Sequence, residues 1–268
     1  MSGTSHHVKS VRKLFRIIEA LERHEMMGVT ELARETGIAK SSVYKYLDTL
    51  QYLGFVTKTE TSYALSLRWY EIGRGVRERR AVFQTARSEL DRLARQTGET
   101  ISLVVEEDSD AVYLLQLCER ERPAAPVEEG SRIPIPISVG GKAILSYRPI
   151  KEVEAVLAHH ELTDQSDQLI SELQTLRNQR MVIERESPSD GKFSAGSFMG
   201  HRHVVGHGEP YQNLHSVAVP IRDADSYAVA AIEVSGSKES LYGQRLEDEI
   251  ARLLVNASKS IETVLQSQ

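Results

Sequence analysis

Two stretches of the 268-residue chain carry side chains suited to chemistry. The first is Lys40-Ser41-Ser42-Val43-Tyr44-Lys45. Wound as a helix, it turns Val43, Leu47 and Leu50 inward and leaves Lys40, Ser41, Ser42, Tyr44, Lys45 and Tyr46 mostly outside. Hydroxyls read base edges and ammonium groups meet phosphates, so this is the surface a recognition helix offers to a major groove. The second stretch holds His201, His203, His207 and His215 within fifteen residues. Imidazoles this close can bind zinc or another transition metal, with Glu184 or Glu209 completing the set. Their spacing is loop-like and matches no regular metal pattern, and the other reading is hydrogen-bonding loop histidines. Catalysis has no comparable signal. There is no GxSxG nucleophile elbow. Gly140-Gly141-Lys142 lacks the first glycine of a phosphate loop and has Ala143 where Ser or Thr belongs. No enzyme is expected.

The elements around Lys40–Lys45 are what a helix-turn-helix needs. Thr30 stands where an N-cap is expected, with Glu31 in the first turn. Leu32, Ala33 and Thr36 follow at helical spacing. Gly37 supplies a left-handed turn and Ile38 plugs the core. Val56–Leu65 reads as strand, polar turn and strand, a wing carrying Lys58 and Thr59. Upstream, Val11, Leu14, Phe15, Ile18 and Leu21 line an amphipathic first helix, with Arg12 near enough to reach a phosphate. Leu67–Arg80 reads as a helix interrupted by Gly73 and Gly75, with Trp69, Ile72 and Val76 in one stripe. It is either a plain linker or a dimerisation helix that sets the spacing of two heads. The competing readings of the head are a helical hairpin with a solvated face and an interaction scaffold without DNA binding.

Charge is divided to match. Residues 1–80 hold 14 Lys+Arg against 9 Asp+Glu, whereas residues 81–268 hold 19 against 29. A basic head on an acidic body fits a DNA-binding domain joined to one that leaves DNA alone. The length favours two domains. The absence of any apolar run near ~20 residues argues against a membrane span. MSGTSHHVKS has no apolar signal-peptide core, so a cytoplasmic location is expected. The single Cys118 excludes an internal disulfide and a cysteine-only zinc site. Beyond Phe83 the pattern mixes helices with hairpins, which predicts an α+β domain on an antiparallel sheet. Helices are expected over Phe83–Gly98, Ile150–Ala158, Asp167–Arg180 and Leu241–Leu265, and Ser187–Gln212 as a long loop.

In order and spacing, VKSVRKLFRIIEAL, IAKSSVYKYLDTLQYLGFV, YALSLRWYEIG, GETISLVVEEDSDAVYL, RIPIPISVGGKAIL and LHSVAVPIRDADSYAVAAIEVSGS resemble the isocitrate-lyase-regulator (IclR) family of transcription regulators over roughly residues 8–265. The resemblance implies a winged helix-turn-helix over 8–66, a linker helix over 67–81 and a GAF-like effector-binding domain over 82–268. It implies homodimers or tetramers on double-stranded operator DNA, and a small-molecule metabolite as effector. Carried over residue by residue, the effector contacts fall on Val139, Gly140, Glu184, Leu214, Ser216, Glu233 and Ser235. Three features depart from the family pattern: the segment 187–212 is longer than usual, and two single positions differ. Asn213 replaces a usual glycine, and Glu233 stands where a small polar residue is usual. Glu184 and Glu233 together would repel a small acid, which points to a neutral polyol, a sugar-derived compound or a cation. A metal-responsive regulator using the loop 201–215 is the alternative.

Overall fold

A computed structural model describes residues 8–119, 127–185, 214–243 and 245–267. The chain divides after Arg77 into two compact units.

The first unit contains α1 (Lys9–His24), β1 (Met27–Gly28), α2 (Val29–Thr36), α3 (Lys40–Tyr52), β2 (Val56–Thr59), β3 (Ser62–Leu65) and most of α4 (Arg68–Glu78). The strands form a small antiparallel sheet in the order β1-β3-β2. Its core joins Ile17, Ile18 and Leu21 of α1 to Leu32 of α2, Val43, Leu47 and Leu50 of α3, and Tyr63 of β3. Two details depart from the sequence reading. The inward stripe of α1 is Ile17, Ile18, Ala20 and Leu21, while Val11 and Phe15 are each about half exposed. Tyr46 packs partly into the core rather than standing outside. The chain also runs helically through Gly73 and Gly75, so α4 is uninterrupted. Single glycines weaken a helix by only about 1 kcal/mol, which neighbouring turns absorb.

In the second unit, α5 (Ala81–Thr97) precedes β4 (Thr100–Glu107), β5 (Asp110–Leu117) and β6 (Arg132–Pro134). A 3₁₀ turn, Ile135–Ile137, leads into α6 (Val139–Leu145), followed by α7 (Ile150–His159), α8 (Ser166–Gln179) and β7 (Val182–Arg185). The hairpin β8 (Leu214–Arg222) and β9 (Ala228–Ser237) comes next, and α9 (Ala251–Leu265) closes the chain. A π-helical turn over Arg245–Ile250 precedes α9, so the closing helix starts later than its apolar period predicts. The strands form one antiparallel sheet in the order β6-β5-β4-β9-β8-β7.

Both faces of this sheet are covered, which explains why β4 and β9 are buried without alternation. Leu103, Val217 and Ile232 face a core with Phe83 and Leu90 of α5 and Leu254 and Ile261 of α9. Their chain neighbours Val104, Ala218 and Ala231 face the opposite core with Ile144 of α6, Leu157 of α7 and Leu173 of α8. Glu107 fastens the start of α5 to the sheet by accepting from both Arg132 and Arg80. The Arg132 hydrogen bond holds its carboxyl below the usual range, against the opposing effect of burial.

Candidate nucleic-acid interface and ligand site

The head is set by local geometry. Helix α2 begins at Val29, not after Thr30: the extended residue Gly28 caps it, and the Gly28 N–H donates to Glu31 Oε2 at 2.8 Å. That is the reciprocal half of a capping box, supplied by the acidic residue of the first turn. Gly37 ends α2 at φ +66, the left-handed conformation that favours glycine. Ile38 then enters the core, 4% exposed. Ala39 caps α3, its carbonyl accepting from Ser42 and Val43 N–H. With Val43 and Leu47 fully buried, the rotation of α3 is fixed.

That rotation leaves Lys40, Ser41, Tyr44 and Lys45 exposed and Ser42 half-buried on the outward side. Asp48 follows one turn on, where the face stops being cationic. In the wing, Lys58 and Thr59 are exposed, and the Lys58 ammonium lies 5.4 Å from the centre of the Tyr63 ring. Arg12 is exposed on α1. The start of α4 is tied to this unit by the Trp69 indole N–H on the Phe55 carbonyl (3.0 Å) and the Arg68 guanidinium on the Leu53 carbonyl (2.7 Å).

In the second unit the sheet and α6 enclose a buried polar cradle. Glu233 on β9 is 0% exposed. Its Oε2 accepts from the Gly140 N–H of α6 at 2.9 Å and from the Tyr113 hydroxyl at 3.2 Å. Its Oε1 accepts from Ser235 Oγ at 3.2 Å, and Ser235 Oγ accepts from Ser216 Oγ at 3.0 Å. Ser138 caps α6, taking the Gly141 N–H at 3.0 Å, and lies 3.2 Å from the Tyr113 hydroxyl. Across the ladder Ser102 is the register partner of Glu233, and Gln116 reaches Ser102 Oγ at 3.4 Å. Gly140 is required by this approach: a Cβ there would sit 2.8 Å from Val104 Cγ2 and 3.1 Å from Glu233 Oε2.

Of the ligand positions read from sequence, Gly140, Ser216, Glu233 and Ser235 share this hydrogen-bond network, and the neighbouring Val139 is fully buried. Leu214 begins β8, and Glu184 on β7 is the register partner of Ser216. Tyr113, Ser138, Ser102 and Gln116 were missed. Ser138 alone left a signal, as a serine directly before VGGK at a helix start.

The histidine cluster gains no support. His201, His203 and His207, with Glu209, lie outside the described residues, and His215 turns Nδ1 to the Leu241 carbonyl. Among the described residues no group of three or more His, Cys, Asp or Glu is placed to hold a metal, and no helix is long and apolar enough to cross a membrane.

Comparison with known proteins separates the same two parts. Residues 10–60 match the family described as IclR helix-turn-helix domain, and residues 75–195 match Bacterial transcriptional regulator IclR C-terminal. The HTH-type transcriptional regulator KdgR of Escherichia coli is 25% identical over 254 residues, covering 94% of this chain and 91% of its own length. The p-hydroxybenzoate hydroxylase transcriptional activator of Acinetobacter baylyi is 23% identical, covering 98% and 93%. The crystal structure of the Thermotoga maritima IclR superposes with a TM-score of 0.74 at 23% identity, over 97% of this chain and 99% of that one. An IclR homologue from Microbacterium hydrocarbonoxydans, complexed with 4-hydroxybenzoate, gives 0.71 at 19% identity, over 97% and 100%.

Proposed function

The chain belongs to the IclR family of bacterial transcriptional regulators, and from that membership we propose which of its residues read DNA and what kind of ligand they answer to. It is a DNA-binding transcription regulator with a C-terminal effector-binding domain. The outward side of α3 enters the major groove of operator DNA, with Ser41, Ser42 and Tyr44 on base edges and Lys40 and Lys45 on phosphates. Lys58, Thr59 and Arg12 steady the head on the backbone. The observation that carries this reading is the burial of Val43 and Leu47, which leaves α3 one rotation and therefore one outward face. The working parts are the winged head over 8–66, a linker over 67–81 built on α4, and the effector domain over 82–268.

The reading includes a homodimer, open to further pairing as a tetramer. Val8, Val11 and Phe15 recur at helical spacing and are 61%, 49% and 49% exposed. On α4, Ile72 and Val76 are 48% and 47% exposed, and no residue of that helix is buried. Apolar stripes on both helices support a partner copy over them. In sedimentation velocity the double variant Phe15→Asp, Val76→Asp is expected to run as a smaller species than the wild type. An unchanged sedimentation coefficient would remove the helices from the interface.

For the effector, Glu233 decides the chemistry. Its carboxylate occupies the point where the Gly140 N–H and the Tyr113 and Ser235 hydroxyls converge. An acid would have to displace a carboxylate already held by three donors. The ligand class is accordingly a neutral polyol, a sugar-derived compound or a cation, unlike the acid in the 4-hydroxybenzoate complex of the relative. Calorimetric titration with polyols, amines and small acids tests this. Neutral or cationic compounds should bind the wild type, and acids should gain at least about tenfold in affinity in Glu233→Ser. Failure of every polyol and amine in the panel to bind the wild type would reject it.

A further inference from the structure

A second concavity lies at the other end of α6 from Gly140. It is a half-open cleft of about 100 Å³ between α6, α7 and α8. Leu145, Val153 and Leu173, all buried core residues, form its floor. Arg148, Arg177 and Gln174 supply its polar walls.

The two arginines are in different states. The Arg148 side chain is only 10% exposed and stacks 3.7 Å from the centre of the Tyr227 ring. Glu152 and Glu106 hold its terminal nitrogens at 3.3 and 3.5 Å, yet its Nε is buried without an acceptor. That Nε has no accessible surface, so it does not open on the cleft, and Arg148 serves there as a wall already engaged by Tyr227, Glu106 and Glu152. Arg177 is exposed, lies 5.4 Å from the Tyr147 ring, and has no carboxylate partner among the described residues. Its positive charge at the edge of the cleft is not offset by the acids that neutralise Arg148.

We propose that this cleft is a binding site for a short-chain carboxylate, its tail on the Leu145–Val153–Leu173 floor and its carboxylate on Arg177, with Gln174 and Arg148 beside it. The size sets the chain length. An apolar cavity of about 150 Å³ accommodates benzene, so about 100 Å³ with an open side admits an acid of roughly three to five carbons. The site is separate from the Glu233 cradle, which shares none of its lining residues and presents a carboxylate instead of guanidinium groups.

The test uses the full chain and three probes of equal length: n-butyrate, n-butanol and n-butylammonium. For a ligand of six heavy atoms, butyrate is expected to bind with a Kd of about 1 mM. Butanol should bind at least about tenfold more weakly, and butylammonium should not bind measurably. Arg177→Gln removes the charge, and Gln174→Trp fills the cleft from an exposed position, so neither disturbs the core. Each should weaken butyrate at least about tenfold, whereas Lys259→Gln, an exposed charge on α9 that lines neither site, should leave it unchanged. Absence of butyrate binding, equal binding of the three probes, or butyrate binding undiminished in Arg177→Gln would each overturn the site.

Discussion

Replacing Lys40 and Lys45 together with alanine is expected to lower operator affinity by about 10- to 100-fold at fixed salt. The melting temperature should stay within about 1–2 °C, because surface substitutions away from packing features change stability little. Both ammonium groups are exposed on the outward side of α3, and neither belongs to the core that fixes the helix. Each phosphate contact releases condensed counterion, so its loss weakens binding to all sequences alike and lowers the salt slope by about one. Ser41→Ala and Tyr44→Phe should behave differently, shifting sequence preference with little change in that slope. Operators selected from a random duplex pool supply the substrate, and fluorescence anisotropy across a salt series supplies the slopes. If the double variant bound as tightly as the wild type, the assigned face would be wrong.

Gly141→Ala is expected to destabilise the second unit by about 3 kcal/mol, a fall of roughly 6–12 °C in its melting temperature. A Cβ at Gly141 would stand 2.2 Å from the Ile135 carbonyl oxygen and 2.6 Å from Ile135 Cγ1. The first of these is backbone and has no rotamer to escape into. Alanine normally gains about 1 kcal/mol over glycine in a helix, so the clash outweighs the propensity. Relief requires α6 to lift from the 3₁₀ turn, which withdraws the Gly140 N–H from Glu233 and opens the cradle. Gly73→Ala is the control. Nothing lies within 4 Å of the Cβ that would be added there, and this helical site should gain about 0.5–1 kcal/mol. Differential scanning calorimetry of the two variants separates the effects. A Gly141→Ala protein as stable as the wild type would mean that the α6 contact yields easily.

What the sequence made legible follows the range of the interactions. Gly37, Ile38 and the Val43–Leu47–Leu50 stripe are read within twenty residues, and the head folds as that local pattern dictates. The cradle is not local. Tyr113 and Glu233 meet across 120 residues because the sheet order places β4 between β5 and β9, and no periodicity encodes that order. Gly28 rather than Thr30 is the cap because its backbone is extended and the Glu31 carboxylate turns back to accept its N–H, which leaves Thr30 inside the first helical turn. Periodicity alone places Phe15 and Val11 in the core, because an apolar stripe looks the same whether or not its own domain covers it, and both are about half exposed. The short strands β1 and β6 left no alternation to detect in two or three residues.

The most direct test of the whole account is a crosslink between α3 and the major groove. Selected operators carrying iodouracil in place of thymine present the photoreactive atom where the thymine methyl lies, in the major groove. After irradiation and digestion, mass spectrometry should find the modified peptide among residues 40–45, with Tyr44 the acceptor. Crosslinks confined to the wing or to the second unit, with none on α3, would contradict the docking face from which the rest is argued.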